Sequence, residues 1–178
     1  MVDELILKKT KMELRVSNLL KEIKKFSSNL IETYPSVNQD EIVFFENKFK
    51  LKLPNDYLKF LNFSNGFSLM GDEIYGINNK VQGDDLMSVY HREHFLVIKP
   101  QPLHFIPFSP DGRGNYYCFD CSKISVDGNA CPIIFWTSNF DYNEKNEPEI
   151  THQNFTDFVQ ECIIDWTLED YDYNDNKK

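Results

Sequence analysis

Apolar residues return along the first thirty positions at alternating steps of four and three, as Met12, Val16, Leu19, Ile23, Phe26 and Leu30. That spacing predicts an amphipathic helix. It also fits a coiled-coil seam, but about three heptads are too few to prefer that over packing on the chain's own sheet. Pro35 disfavours helical geometry at Tyr34 and is expected to interrupt the helix. Ser36 with Gln39 has the spacing of a capping box that opens a second helix, which buries Ile42, Phe45 and Phe49. A third starts at Leu53-Pro54-Asn55-Asp56, because first-turn amides have no helical partner and proline is tolerated there. Tyr57, Phe60 and Leu61 form its buried side, and Asn65-Gly66 supplies a left-handed stop.

After Gly66 the period becomes strand-like. Short strands are expected over 67–70 and 73–77, then a polar, acidic loop or short helix over 78–94, and a strand over 95–98. A hairpin joins 104–108 to 115–119 through Ser109-Pro110-Asp111-Gly112-Arg113-Gly114. The most apolar strand, 132–136, is expected to be central, with Pro132 at its start where no ladder amide is needed. An acidic loop follows over 141–149. Phe155, Phe158, Val159, Cys162, Ile163 and Trp166 then lie at helical spacing. The order predicts an α+β fold of N-terminal helices, a central antiparallel β-sheet and a C-terminal helix. Residues 1–35 read as a helical extension packing on a domain of residues 36–168, and residues 169–178 as a frayed acidic tail.

Composition narrows the function. The 178 residues are 41% hydrophobic and 26% charged, so wholesale disorder is excluded. No apolar run approaches a membrane span, and lysines interrupt any leader-like stretch, so a cytoplasmic protein with no membrane partner is expected. The net charge is −9, with seven Lys/Arg against four Asp/Glu in residues 1–30 and twelve against twenty-four in the rest. Such a body repels phosphate backbones and attracts a basic partner. Nucleic-acid binding is therefore disfavoured.

Candidate chemistry is sparse. Cys118 and Cys121 have C-x-x-C spacing, with Cys131 and Cys162 elsewhere, but four cysteines are too few for a disulfide scaffold and the pair continues a strand rather than opening a helix. Buried reduced thiols are expected. His91 and His94 lie three apart without a confirming partner, and His104 and His152 stand alone, so no metal is assigned. The 111–115 loop lacks a phosphate-cradling string and precedes a strand. No catalytic residue and no cofactor are assigned. What remains is surface character: Asp72, Glu73, Tyr75, Asp84 and Asp85 in one region, and Asp141, Tyr142, Glu144, Glu147 and Glu149 in a second. Carboxylates steer a basic partner and tyrosines supply contact area, although on the residues alone a solvated face is the more ordinary reading.

Five motifs in order resemble the SUKH superfamily of Smi/Knr-type domains. They are Ile42-x-x-Phe45-Glu46; Leu53-Pro54-Asn55-Asp56-Tyr57 through Asn65-Gly66; Phe105-Ile106-Pro107-Phe108 with Asp111-Gly112-x-Gly114-Asn115-Tyr116-Tyr117-Cys118-Phe119-Asp120; Pro132-Ile133-Ile134-Phe135-Trp136; and Phe155-x-x-Phe158. Thr137 stands where the family often carries an acidic residue, and the N-terminal helix is longer than the family's usual lead-in. The resemblance implies a non-enzymatic α+β domain. In its bacterial branch it implies an immunity protein that neutralises a cognate toxin domain, expected to be a basic nuclease, by stoichiometric occlusion. A regulatory scaffold of the Smi/Knr type is the alternative, and a thiol or zinc enzyme built on Cys118 and Cys121 a third. A monomer is expected.

Overall fold

The computed structural model describes residues 2–143 and 145–178. Helix α1 (Val2–Ile23) leads into strand β1 (Ile31–Thr33), helices α2 (Gln39–Phe49) and α3 (Asn55–Leu61), and strands β2 (Phe67–Leu69) and β3 (Asp72–Ile74). Helix α4 (Leu86–Phe95) precedes β4 (Phe105–Pro110), β5 (Tyr116–Asp120), β6 (Ile133–Trp136) and β7 (Glu149–His152), and α5 (Phe155–Val159) and α6 (Trp166–Asp170) close the chain. The fold is α+β with helices at both ends. The strands form two antiparallel sheets, β1-β2-β3 and β4-β5-β6-β7. A backbone bond from Tyr75 N–H to the Phe108 carbonyl, 2.9 Å, joins the small sheet to the large one.

Several expected boundaries move for local reasons. Helix α1 stops at Ile23, before Phe26 and Leu30, yet both remain buried. The Ser27 amide is taken by the Tyr173 carbonyl at 2.8 Å, so the chain turns there and Ile31–Thr33 pairs with β2 instead of extending the helix. The cap of α2 is Asn38 with Glu41, not Ser36 with Gln39: Asn38 Oδ1 accepts from Asp40 N–H, and Glu41 accepts from the Asn38 amide. Asn65 is not a helix stop, since α3 ends at Leu61. Its buried side-chain amide instead clamps both backbone groups of Ile77, at 2.8 and 2.9 Å. The apolar run at 95–98 makes no strand; Phe95 ends α4 and the next residues bend away. Strand β7 starts at Glu149, the last residue of the expected acidic loop, and runs through residues for which no element is expected.

The C-terminal helix carries a π-turn over Gln160–Asp165. A π-turn adds one residue to the helical repeat. Cys162, Ile163 and Ile164 therefore all bury, while Trp166 rotates out to 51% exposure. The last residues, expected to fray, return to α1: Tyr173 packs on Phe26 with ring centroids 4.9 Å apart, and its hydroxyl donates to Glu22.

The core lies between the large sheet and helices α3 and α5. Phe108 and Phe119 stack at 4.0 Å, and Tyr57 and Phe155 close over Phe119 at 5.0 and 6.1 Å. Asp56 ties the helix starts together, accepting from the Tyr57 and Phe155 amides at 2.8 and 3.0 Å while only 2% exposed. Burial pushes its carboxyl up to about 7, against the lowering effect of those amides.

Two predictions follow from these constraints. Between about pH 4 and 7 the native state holds a proton at Asp56 that the unfolded chain has released, so stability falls as pH rises through that window, by at most about 1.4 kcal/mol per unit. Urea unfolding should show this slope, and Asp56→Asn should remove it at a lower plateau, because its NH2 group meets one of the two amides. Gly66 has φ +88°, and a Cβ there would lie 2.6 Å from Val81 Cγ2 and 2.8 Å from the Ile74 carbonyl. Gly66→Ala should cost roughly 2–4 kcal/mol from strain and overlap together, read as a lowered denaturation midpoint.

Candidate partner-binding cleft

Alternation along β5 and β6 divides the large sheet into two faces. Tyr117, Phe119 and Phe135 face the helices, and Tyr117 meets Phe158 at 4.7 Å. Tyr116, Cys118, Asp120, Ile134 and Trp136 take the other face. Helix α4 covers part of it: Arg92 grips Asp84 with two bonds of 3.1 and 2.9 Å and donates to the Tyr116 hydroxyl at 2.9 Å. The remainder lies at the bottom of a cleft of about 540 Å³.

Each wall of this cleft has a physical anchor. On one side the segment after α4 is clasped to the helix end. The Gln101 amide donates to the Glu93 carbonyl at 3.0 Å, the Tyr90 hydroxyl to the Leu103 carbonyl at 2.7 Å, and His94 spans the carbonyls of Tyr90 and Pro102 at 2.6 and 3.1 Å. His94 stacks on Tyr90 at 3.8 Å, and burial lowers its pKa against the raising effect of the two carbonyls it faces. It is thus a buried structural histidine. On the other side Tyr142 lies 4.4 Å from the Trp136 ring, Phe140 lies 4.8 Å from Tyr142, and the Thr137 amide donates to the Tyr142 hydroxyl at 2.9 Å. Thr137 therefore contributes its backbone, not an acidic side chain.

Of the residues singled out in the second region, Asp141, Tyr142 and Glu147 line the cleft together. Glu149 stands opposite Phe135 in the register, on the face turned towards the helices, and Glu144 lies outside the described residues. The first region is largely committed to the fold. Tyr75 is buried, Asp84 holds Arg92, and Asp85 caps α4 by accepting from Ser88 N–H at 2.8 Å. Asp72 and Glu73 are half-buried, and burial raises both carboxyls, with Asp84 and Asp72 adding to the rise at Glu73. The two regions do not share the cleft.

Charge inside the cleft is mixed. Asp120, 2% exposed on its side chain, lies 3.0 Å from Lys123 and 3.9 Å from His104; Asp141 is paired with Lys99 at 2.5 Å. Lys99, Phe105, Asp120, Trp136 and Phe140 were not singled out as site residues. Trp136 and Phe105 read as ordinary strand residues, and no local pattern distinguishes a ring lining a cleft from one filling a core.

The cysteines form no site of the kind C-x-x-C suggests. Cys118 is buried against Gln101 and its thiol is pushed up by burial, while Cys121 lies past the end of β5, and Cys121 and burial together push the Cys131 thiol up. Cys162 lies 3.7 Å from His152, but burial raises its thiol to about 11, which disfavours a reactive thiolate. Among the described residues no cluster of three or more His, Cys, Asp or Glu could hold a metal ion. None of their helices is long and apolar enough to cross a membrane.

Helices at both ends of two antiparallel sheets define an α+β domain. Within that class the chain belongs to the SMI1 / KNR4 family (SUKH-1), which matches its residues 36–161. Members of this family are generally immunity or regulatory proteins rather than enzymes, and the membership points to a protein partner. No curated protein sequence matches the chain significantly.

Proposed function

We propose that this protein is an immunity protein that binds a cognate bacterial toxin domain and neutralises it by stoichiometric occlusion, with the cleft as its contact surface. The observation that carries the reading is the cleft itself: part of a sheet face walled by loops rather than covered by a helix, floored by the buried rings of Phe105 and Trp136 and lined by Asp141 and Glu147, in a family whose membership points to a protein partner. An acidic body with net charge −9 favours a basic toxin, and a nuclease is basic where it grips its substrate. Occupying that groove needs no turnover. About 800 Å² per partner is enough for a stable complex.

A regulatory scaffold is the second reading. Its support is α1, which turns Ile6, Leu7 and Leu14 to solvent and offers a surface separate from the cleft.

Co-expression with the toxin domain encoded beside this chain separates the two. The neutralising reading expects protection and a one-to-one complex that weakens with salt, whereas a scaffold gives several partners and no protection. Asp141→Lys with Glu147→Lys should slow association about tenfold or more at low salt, measured by stopped-flow mixing. An unchanged rate moves the interface to the Asp72–Asp84 region.

A further inference from the structure

The cleft has an apolar lip that carboxylate steering leaves unexplained. From the last residue of α4 to the start of β4 the chain turns Phe95, Leu96, Ile98 and Leu103 to solvent, Ile98 at 92%. Scattered exposed apolar side chains are ordinary, but several in one short segment at the edge of a cleft mark an interaction surface. The segment is held, not loose, because Glu93, Tyr90 and His94 clasp residues 101–103. Lys99, Pro100, Pro102 and His104 from the same segment form the cleft wall.

The carboxylates of the cleft already hold cations. Lys99 Nζ lies 2.5 Å from Asp141 and Lys123 Nζ lies 3.0 Å from Asp120, with both lysines partly exposed. Glu147 makes no ion pair among the described residues, so three carboxylates meet two lysines. Lys99 and Asp141 are both exposed, and exposed ion pairs add little, so Lys99 is readily displaced. A guanidinium has more to offer there, as a planar fork that meets a carboxylate with two bonds and stacks on an aromatic ring. The Tyr142 ring adjoins Asp141 in the chain and packs on Trp136, whose buried indole N–H has no hydrogen-bond partner among the described residues.

We propose that the cleft takes an arginine from a protein partner's segment in which apolar residues flank it. The guanidinium displaces Lys99 from Asp141 beside the Tyr142 ring, and the flanking side chains cover Leu96, Ile98 and Leu103. The proposal rests on the cleft being the contact surface in the neutralising reading, and it adds the chemistry of the anchor. Lys99 is then a resident cation that any partner must replace, which favours arginine over lysine and rejects an acidic segment.

The test uses the full chain carrying Trp166→Phe, which leaves Trp136 as the single indole, and titrates it with the blocked peptide acetyl-(Leu-Arg)3-amide. A saturable change in emission is expected, with no such change for acetyl-(Leu-Glu)3-amide. Lys99→Met should lower the half-saturating concentration about two- to fivefold, because it frees Asp141. Leu96→Ser with Ile98→Ser should raise it roughly tenfold, as should Asp141→Asn, and circular dichroism should show all variants folded. No saturable response, an equal response to the glutamate peptide, or weakened or unchanged binding in Lys99→Met overturns the proposal. Failure of the neutralising reading appears separately, as absent protection by the unaltered chain. A chain that protects while its Lys99 and Leu96/Ile98 variants bind the toxin unchanged overturns the arginine anchor alone.

Discussion

The hydroxyl of Tyr57 donates to the Tyr75 carbonyl at 2.6 Å inside a fully buried setting, and much of the fold converges on that residue. Its ring packs against Phe119 and Phe155, so one side chain touches the large sheet, the C-terminal helix and the end of the small sheet. A buried phenol without an acceptor would cost about 1–3 kcal/mol. The carbonyl of residue 75 is therefore held where its own amide reaches Phe108. Next to it, Asp56 gathers the first amides of α3 and α5. Two adjacent residues thus set how helices, small sheet and large sheet meet.

Packing the helices on one face of the large sheet has a consequence for the other. Helix α4 is too short to cover that second face, and its last turn is spent in clasping the segment that follows it. What the helices do not reach is lined by rings the sheet must carry for its own alternation, Phe105 and Trp136 among them, and these are buried by a loop folded back onto Trp136 through Tyr142. The cleft is thus a by-product of how much of the sheet the helices can reach. Two of its three carboxylates are paired with lysines in the free protein, so the acidic character of the chain is only partly expressed inside the cleft.

Much was legible in the linear pattern because it depends on neighbours in the chain. Helix α2, helix α3, the 105–120 hairpin and the start of the last helix all follow from apolar spacing, turn residues and caps. The misreadings have a common cause in partners remote in sequence. Helix α1 ends early because Tyr173 claims Ser27; Asn65 serves Ile77 rather than its own helix; the 95–98 run is apolar without being a strand because it borders a cleft. Trp166 turns outward because of a π-turn whose inserted residue leaves the apolar spacing before it unchanged. Of the acidic residues, the pattern identified two that line the cleft but could not separate Asp141, at its edge, from Asp85, spent on a cap.

By itself the sequence determined the α+β order of elements, the residues of the core, the five motifs that mark the family, and an overall negative charge, since each is written in composition or in short-range spacing. Only the tertiary structure decided that the strands divide into two sheets, that Cys118 is buried against Gln101, and that Asp141, Glu147, Trp136 and the 99–104 segment share one cleft. Those outcomes join residues tens of positions apart. They depend on which sheet face the helices cover, a matter of geometry that no local pattern encodes.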